Sequence, residues 1–360
     1  MKILTVVGAR PQFIKAAAVS RALRREHTEI LVHTGQHYDY NMSDIFFEEL
    51  GIPKPDYNLG IAGGTHGKMT GAMLAAVEEV LMNEKPDWLL VYGDTNSTLA
   101  AALAAVKLHI PVCHVESGGR LGTLTNPEEV NRICTDHVSS LLLCCTASAV
   151  EFLRREGLTA GVHLTGDPMY DAFRYYGERL PADLLSGVED IDGNPADIPE
   201  RFYYLTCHRE ENTADGRSLR EIMAAMDQLD APTVYPVHPR NTERARRLRD
   251  ENGFSRVLLT KPVGYLTSIA LVKGAAKIVT DSGGLQREAF FAGKQCVTVF
   301  DYVVWPETMT GGVNRLAKPD AADILEKLEG PVIWNPAYQP FGDGHSSEKI
   351  TKIISGEGAN

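Results

Sequence analysis

The chain of 360 residues has no C-x-x-C pair among its six cysteines, Cys113, Cys134, Cys144, Cys145, Cys207 and Cys296. Most lie inside apolar runs. They read as buried reduced thiols of a cytoplasmic protein, with no disulfide framework and no zinc site. No run of about 18 apolar residues occurs, so no segment is expected to span a bilayer. The opening MKILTVVGARPQF has one lysine, a short apolar run and no small-residue cleavage site. It reads as a first strand and not as a signal peptide. Basic charge is scarce too: 36 Lys and Arg against 47 Asp and Glu leave a net −11. That excludes general affinity for nucleic acid or an anionic membrane, while leaving room for a local phosphate pocket. The G-x-G-x-x-G fingerprint is missing, so no dinucleotide cofactor is expected. Repeats and low-complexity segments are missing as well.

Apolar residues are plentiful at 44%, enough for packed cores, and the length fits two domains. Eleven short apolar runs recur along the chain. They are ILTVV (3–7), ILVHT (30–34), WLLVYG (88–93), PVCHVE (111–116), LLLCCT (141–146), VHLTG (162–166), FYYLTCH (202–208), TVYPVH (233–238), VLLTKP (257–262), KIVTDS (277–282) and CVTVF (296–300). Runs this continuous are expected of strands covered on both faces. Between them lie stretches of helical composition such as STLAAALAAVKLH and SLREIMAAMDQL. The alternation predicts an α/β protein with parallel, doubly wound sheets. The Pro-, Gly- and Asp-rich stretch 177–200 is the expected boundary between Rossmann-like domains 1–176 and 177–345. A short C-terminal helix within 346–360 is expected to pack back on the first.

Several predicted strands end in an ionisable residue: Asp94, Glu116, His208, His238 and Asp281. Ligands of doubly wound sheets bind beyond the carboxyl ends of the strands, so these residues are expected to meet in a cleft. Two strand-to-helix turns are candidate phosphate sites. In VVGARPQFIK, Gly8 allows a tight turn, Pro11 suits the first helical position, and Arg10 and Lys15 flank the positive helix end. In TDSGGLQREA, the amides of Ser282, Gly283 and Gly284 are placed to cradle a diphosphate, and Glu288 to bind a ribose diol. The segment HVESGGRLGTLTNPEEVNRICTDH holds Glu116, Arg120, Glu128, Glu129, Arg132, Asp136 and His137. Glu128 and Arg132 are spaced i, i+4 on a helix capped by Asn126, and Glu129 reads as a surface residue. Carboxylates gathered near one sugar serve as acid, base and shuttle.

In this order, GARPQFIKAAAV, TGQHYDYNM, VYGDTNSTLAAALAA, HVESGGR, NPEEVNRICTDH, TCHREENT, PVHPR and TDSGGLQREA closely resemble the non-hydrolysing UDP-N-acetylglucosamine 2-epimerases. The resemblance runs from residue 1 to about residue 316. It implies the GT-B architecture, two Rossmann-like domains facing a cleft that holds a UDP-sugar, with no metal or cofactor, and a homodimer. It implies inversion of carbon 2, converting UDP-GlcNAc to UDP-ManNAc, by elimination of UDP to a 2-acetamidoglucal and re-addition. A related UDP-2,3-diacetamido uronic acid sugar, or a GT-B glycosyl transfer, is the alternative. By motif match, Asp94, Glu116 and Glu128 are the carboxylates near the sugar, the acid and base among them left open. His208 meets the leaving phosphate. Arg10, Lys15, Arg132 and His238 bind or neutralise the substrate. Ser282, Gly283 and Gly284 hold the diphosphate and Glu288 the ribose. Phe300 stands where the family pattern has Arg, Val304 where it has Glu, and Gly119 where a larger apolar residue is usual. The first two bear on substrate identity and part of the nucleotide-side contact, with Arg315 a candidate to compensate; Gly119 is expected to loosen its loop. The TGQHYDYNM segment, with Gln36 and His37, corresponds to a segment through which bacterial relatives bind an activating UDP-sugar.

Overall fold

A computed structural model describes residues 1–35 and 44–357; Gln36 and His37 lie outside the described residues. The chain divides into two compact units, Met1–Arg174 with Gln339–Asn360, and Tyr175–Tyr338.

The first unit is built on a parallel sheet of β1 (Lys2–Val7), β2 (Thr28–His33), β3 (Tyr57–Asn58), β4 (Trp88–Tyr92), β5 (Val112–Ser117), β6 (Leu141–Cys144) and β7 (Val162–Leu164). Their order is β3-β2-β1-β4-β5-β6-β7. Five consecutive residues of β1 are buried, as a strand covered on both faces requires. On one face Leu4, Val6, Leu89 and Val91 join Val77, Val80 and Leu81 of helix His66–Glu84. They also join the small side chains Ala101, Ala102, Ala104 and Ala105 of helix Asn96–Lys107, which let that helix lie close to the sheet. The C-terminal helix Ser346–Ile354 belongs to this unit and packs on helix Arg10–Leu23. Buried Asp171 anchors it by accepting the amides of Ser346 (3.1 Å) and Ser347 (2.6 Å), the first two residues of that helix.

The second unit repeats the plan with β8 (Tyr203–Thr206), β9 (Thr233–Pro236), β10 (Val257–Thr260), β11 (Ile278–Thr280), β12 (Cys296–Thr298) and β13 (Asn314–Leu316). All are parallel, in the order β10-β9-β8-β11-β12-β13. Leu205, Tyr235, Leu259, Val279 and Val297 pack with Leu219, Ile222, Met223 and Met226 of helix Arg217–Asp227. All eleven apolar runs carry strands. β3 and β13, at sheet edges, do not coincide with any of them. In each sheet the winding reverses once, between β1 and β4 and between β8 and β11. These are the points where connections leave in opposite directions and open a crevice at the carboxyl ends. No helix among the described residues is long and apolar enough to cross a membrane.

Candidate functional site

At the first switch point β1 runs into Gly8 and β4 into Gly93 and Asp94. A Cβ on Gly8 would fall on the hydroxyls of Thr34 and Ser97, so glycine is required there by space, and not by an unusual φ. The turn is not an open phosphate cradle. Gln12 Oε1 accepts the amides of Gly8 (2.8 Å) and Ala9 (3.0 Å), while its Nε2 donates to the Tyr92 carbonyl (2.8 Å) and Thr98 Oγ1 (3.0 Å). Arg10, the first residue of helix Arg10–Leu23, is half-buried. Lys15 is buried one turn further on, its Nζ 2.7 Å from Glu116 Oε2. Of the two cations expected to flank a phosphate, Lys15 thus has an anionic partner inside the site.

Glu116 has φ +67°, and β5 shifts register against β6 between Val115 and Ser117. A bulge of this kind re-aims a side chain, and a left-handed non-glycine residue costs about 1–2 kcal/mol. Such strain gathers at functional positions. Beyond the ends of β6 and β7, Cys145 and fully buried Asp167 bring their Sγ and carboxylate oxygens, with one from Glu116, to within 4.8 Å of one another. Lys15 supplies a counter-charge to this group through Glu116. Sequence reasoning passed over both: neither residue stands in a motif, and only the parallel register places them beside Glu116.

Asp94 pairs with Arg132, and its backbone carbonyl accepts from Asn131 Nδ2 at 3.0 Å. Arg132 also pairs with Glu129, its neighbour at i−3. Burial works against the Arg132 charge, but Asp94, Glu129 and Glu116 raise its pKa above the ordinary value. The predicted pairing at the start of helix Pro127–Val138 is thereby exchanged. Arg132 pairs with Glu129 and not Glu128. Glu129, read from the sequence as a surface residue, is 1% exposed and accepts the amides of Leu121 (2.7 Å) and Gly122 (3.1 Å). The Asn126 cap fixes the first turn so that Glu129 reaches back to the 119–122 loop, and Glu128 faces outward. Gly119 lies against Arg132: a Cβ there would be 3.5 Å from its Cδ.

At the second switch point β8 runs into Cys207 and His208, and β11 into Asp281 and Ser282. Asp281 is buried and accepts the amides of His208 (2.9 Å) and Arg209 (2.8 Å) and the Asn212 side chain (3.3 Å). Burial opposes its charge, yet the His208 side chain and these amides hold its carboxyl below the usual range. His208 Nδ1 lies 3.1 Å from Asp281, and the ring is 44% exposed. The Asp281 contact fixes the orientation of the ring and turns Nε2 away from that carboxylate. Asp281 is thus a support for His208, a role that strand-end position alone does not distinguish.

The Ser282 hydroxyl caps helix Gly283–Phe291, accepting from Leu285 N at 3.3 Å. The amides of Gly283 and Gly284 open that helix, where N–H groups have no partner within it. Val304 lies over this turn, its Cγ1 3.2 Å from where a Gly283 Cβ would be, and Arg287 stacks on Trp305 at 4.1 Å. Glu288 is buried on the same helix. Phe300, at the departure from the family pattern, stacks on Tyr302 (5.1 Å between centroids, 9° between planes) and carries the Arg209 guanidinium 4.5 Å above its ring. His238 caps the turn Pro239–Asn241, its Nδ1 accepting from Arg240 N at 3.4 Å. Arg315 is placed elsewhere. Its guanidinium donates to the carbonyls of Lys327 and Pro331, at the end of helix Ala321–Glu329. Lys277 and Gln295, which precede β11 and β12, meet the same segment, so Arg315 points toward the amino ends of the strands and away from Asp281 and Ser282.

Strand-end carboxylates at one switch point, with a His and a glycine-opened helix at the other, agree with a family model described as UDP-N-acetylglucosamine 2-epimerase, which matches residues 21–355. The chain belongs to this family. A Pseudomonas aeruginosa UDP-2,3-diacetamido-2,3-dideoxy-D-glucuronate 2-epimerase is 46% identical, over 99% of this chain and 99% of that protein. A Methanococcus maripaludis UDP-N-acetylglucosamine 2-epimerase is 38% identical, again over 99% of each chain. The crystal structure of the Methanocaldococcus jannaschii UDP-GlcNAc 2-epimerase in complex with UDP-GlcNAc and UDP covers 99% of both chains at 36% identity, with a TM-score of 0.87. The two parallel sheets of this family member are the GT-B architecture expected from its motifs.

Proposed function

We propose that this epimerase inverts carbon 2 of a UDP-2-acetamido sugar by eliminating UDP and adding it back. Carbon 2 has no adjacent carbonyl, so its proton is not acidic in the ground state. It becomes removable as the bond from carbon 1 to the phosphate oxygen breaks and positive charge grows on the ring. A carboxylate takes the proton from carbon 2, the carbon 1–oxygen pair leaves with UDP, and a 2-acetamidoglucal forms. A proton then returns to the opposite face of carbon 2 while the UDP oxygen re-forms the bond to carbon 1.

The observation that carries this reading is the pair of strand-end carboxylates on the first unit, Asp94 and Glu116, each held by a cation; Glu128 joins them by its motif match. We assign the proton chemistry to these three. Arg10, Lys15 and Arg132 set the local charge. The second unit takes the uridine diphosphate: His208 Nε2 faces the leaving phosphate, the Gly283 and Gly284 amides and the capped helix hold the diphosphate, and Glu288 receives the ribose.

The sugar we favour is a UDP-2,3-diacetamido uronic acid. The higher identity to the Pseudomonas aeruginosa enzyme, 46% against 38%, supports it. UDP-GlcNAc is the second reading. Incubation with each sugar nucleotide, followed by proton NMR of the anomeric region, decides between them. The manno epimer of the diacetamido uronate is expected to appear faster. Turnover of UDP-GlcNAc alone would reverse the assignment, and epimer from neither would overturn the reading.

A further inference from the structure

His114 lies in β5 two residues before Glu116 and is fully buried. Both ring nitrogens are engaged: Nε2 is 2.7 Å from the Gly93 carbonyl, and Nδ1 is 2.7 Å from Asp136 Oδ1. A carbonyl only accepts, so Nε2 carries a hydrogen. The state of Nδ1 follows from Asp136. That side chain also accepts from Arg120 Nη1 (2.7 Å) and from Gly118 N (3.1 Å), both through Oδ2. Both of those donors favour its ionised form, and Arg120 brings a full positive charge to it. An ionised Asp136 donates nothing, so the hydrogen on that bond belongs to Nδ1.

Charge balance leads to the same state. Arg120 forms a two-pronged pair with Glu156 (2.7 Å to each oxygen), and His137 lies on the exposed side of Glu156 at 3.2 Å. Cys144, beside Ser117, is neutral, its thiol pushed up to about 12 by burial. With His114 charged, the imidazolium and Arg120 match Asp136 and Glu156. With His114 neutral, Arg120 alone would serve two carboxylates, fully buried Asp136 and the 29%-exposed Glu156.

The place of this group gives it a consequence. Gly93, whose carbonyl His114 holds, precedes Asp94. Gly118, whose amide Asp136 holds, is two residues past Glu116 and its left-handed backbone. Asp136 is one turn beyond Arg132, the partner of Asp94. We propose that His114 is an imidazolium protonated on both nitrogens, and that it acts as a positioning residue fixing the turns that present Asp94 and Glu116. What it positions rests on the epimerase reading; its protonation does not.

The test is nitrogen-15 NMR of the histidine-labelled full-length protein without substrate at pH 7.5, with the His114 ring assigned by its loss in His114→Gln. Two protonated ring nitrogens are expected. One protonated and one bare nitrogen would overturn the charge assignment whatever the enzyme turns over. In Asp136→Asn, which removes the carboxylate and keeps a similar shape, the ring is expected to lose one proton; an unchanged ring would count against the argument. His114→Gln, checked for folding by circular dichroism, is expected to lower kcat about a hundredfold, as a displacement of about 1 Å does, with KM and UDP affinity within about threefold of wild type. An unchanged kcat, or an equal loss in UDP affinity, would refute the positioning role.

Discussion

Replacing Arg132 with Met removes the guanidinium that Asp94 and Glu129 share. The two carboxylates are not equally placed to bear the loss. Asp94 is 27% exposed and can recruit water, whereas Glu129 is 1% exposed and becomes a stranded buried charge facing the Leu121 and Gly122 amides. Breaking a buried pair by removing one partner costs about 3–5 kcal/mol. Partial exposure of the site sets the expectation near the low end, about 3 kcal/mol. If the stranded charge is the cause, Arg132→Met with Glu129→Gln recovers most of that loss, since glutamine keeps an oxygen for the loop amides without the charge. Activity does not return, because Asp94 stays unpaired. Trp88 is the tryptophan of the first unit, so urea unfolding followed by its fluorescence, in a Trp305→Phe/Trp334→Phe background, reports on that unit alone. A double variant no more stable than Arg132→Met would refute the reasoning, as would a single variant within about 0.5 kcal/mol of wild type, the range of ordinary surface changes.

Gly8→Ala places a methyl group on the Thr34 and Ser97 hydroxyls, and is expected to lower stability by about 1–3 kcal/mol in the same urea assay, with near-native stability contradicting the close approach. Arg315→Gln is expected to weaken unfolding resistance of the second unit while leaving the UDP dissociation constant, read by calorimetry, within about twofold; a tenfold rise would return Arg315 to the binding site. Asp281 has a folded pKa below its unfolded one, so its contribution to stability is full above the unfolded value, near 3.9, and is lost as pH falls through the folded value. Asp281→Asn should therefore flatten the loss of stability between about pH 4 and the acid limit, and an unchanged acid profile would contradict the assigned support of His208.

The doubly wound plan was legible because strands buried on both faces leave long apolar runs, and each of those runs carries a strand. β3 and β13 escaped because two- and three-residue edge strands such as Tyr57–Asn58 and Asn314–Leu316 bury little and show no periodicity. At the site, residue types at strand ends gave Asp94, Glu116, His208 and Asp281 as candidates. What they could not show is which partners the fold brings. Gln12 takes up the amides of the Gly8 turn by a side chain that also reaches across to β4, 80 residues away. Glu129 and Glu128 are equivalent in composition, and only the phase of the helix set by Asn126 makes one a buried tether and the other an outward carboxylate. Arg315 looked available because its carbonyl partners lie in a segment with no motif. Asp167 follows a strand, and His114 stands on one, whose neighbours are set by the crossover order, which local sequence does not encode.

Incubating the wild-type enzyme with UDP-2,3-diacetamido-glucuronic acid in heavy water, and reading carbon 2 of the recovered sugar nucleotides by NMR, bears most directly on proton removal and return by the strand-end carboxylates. One deuterium at carbon 2 of the manno epimer, with free UDP and glucal detectable at long times and no exchange in Asp94→Asn, is the predicted result. Epimer formed with its carbon 2 hydrogen retained would contradict it.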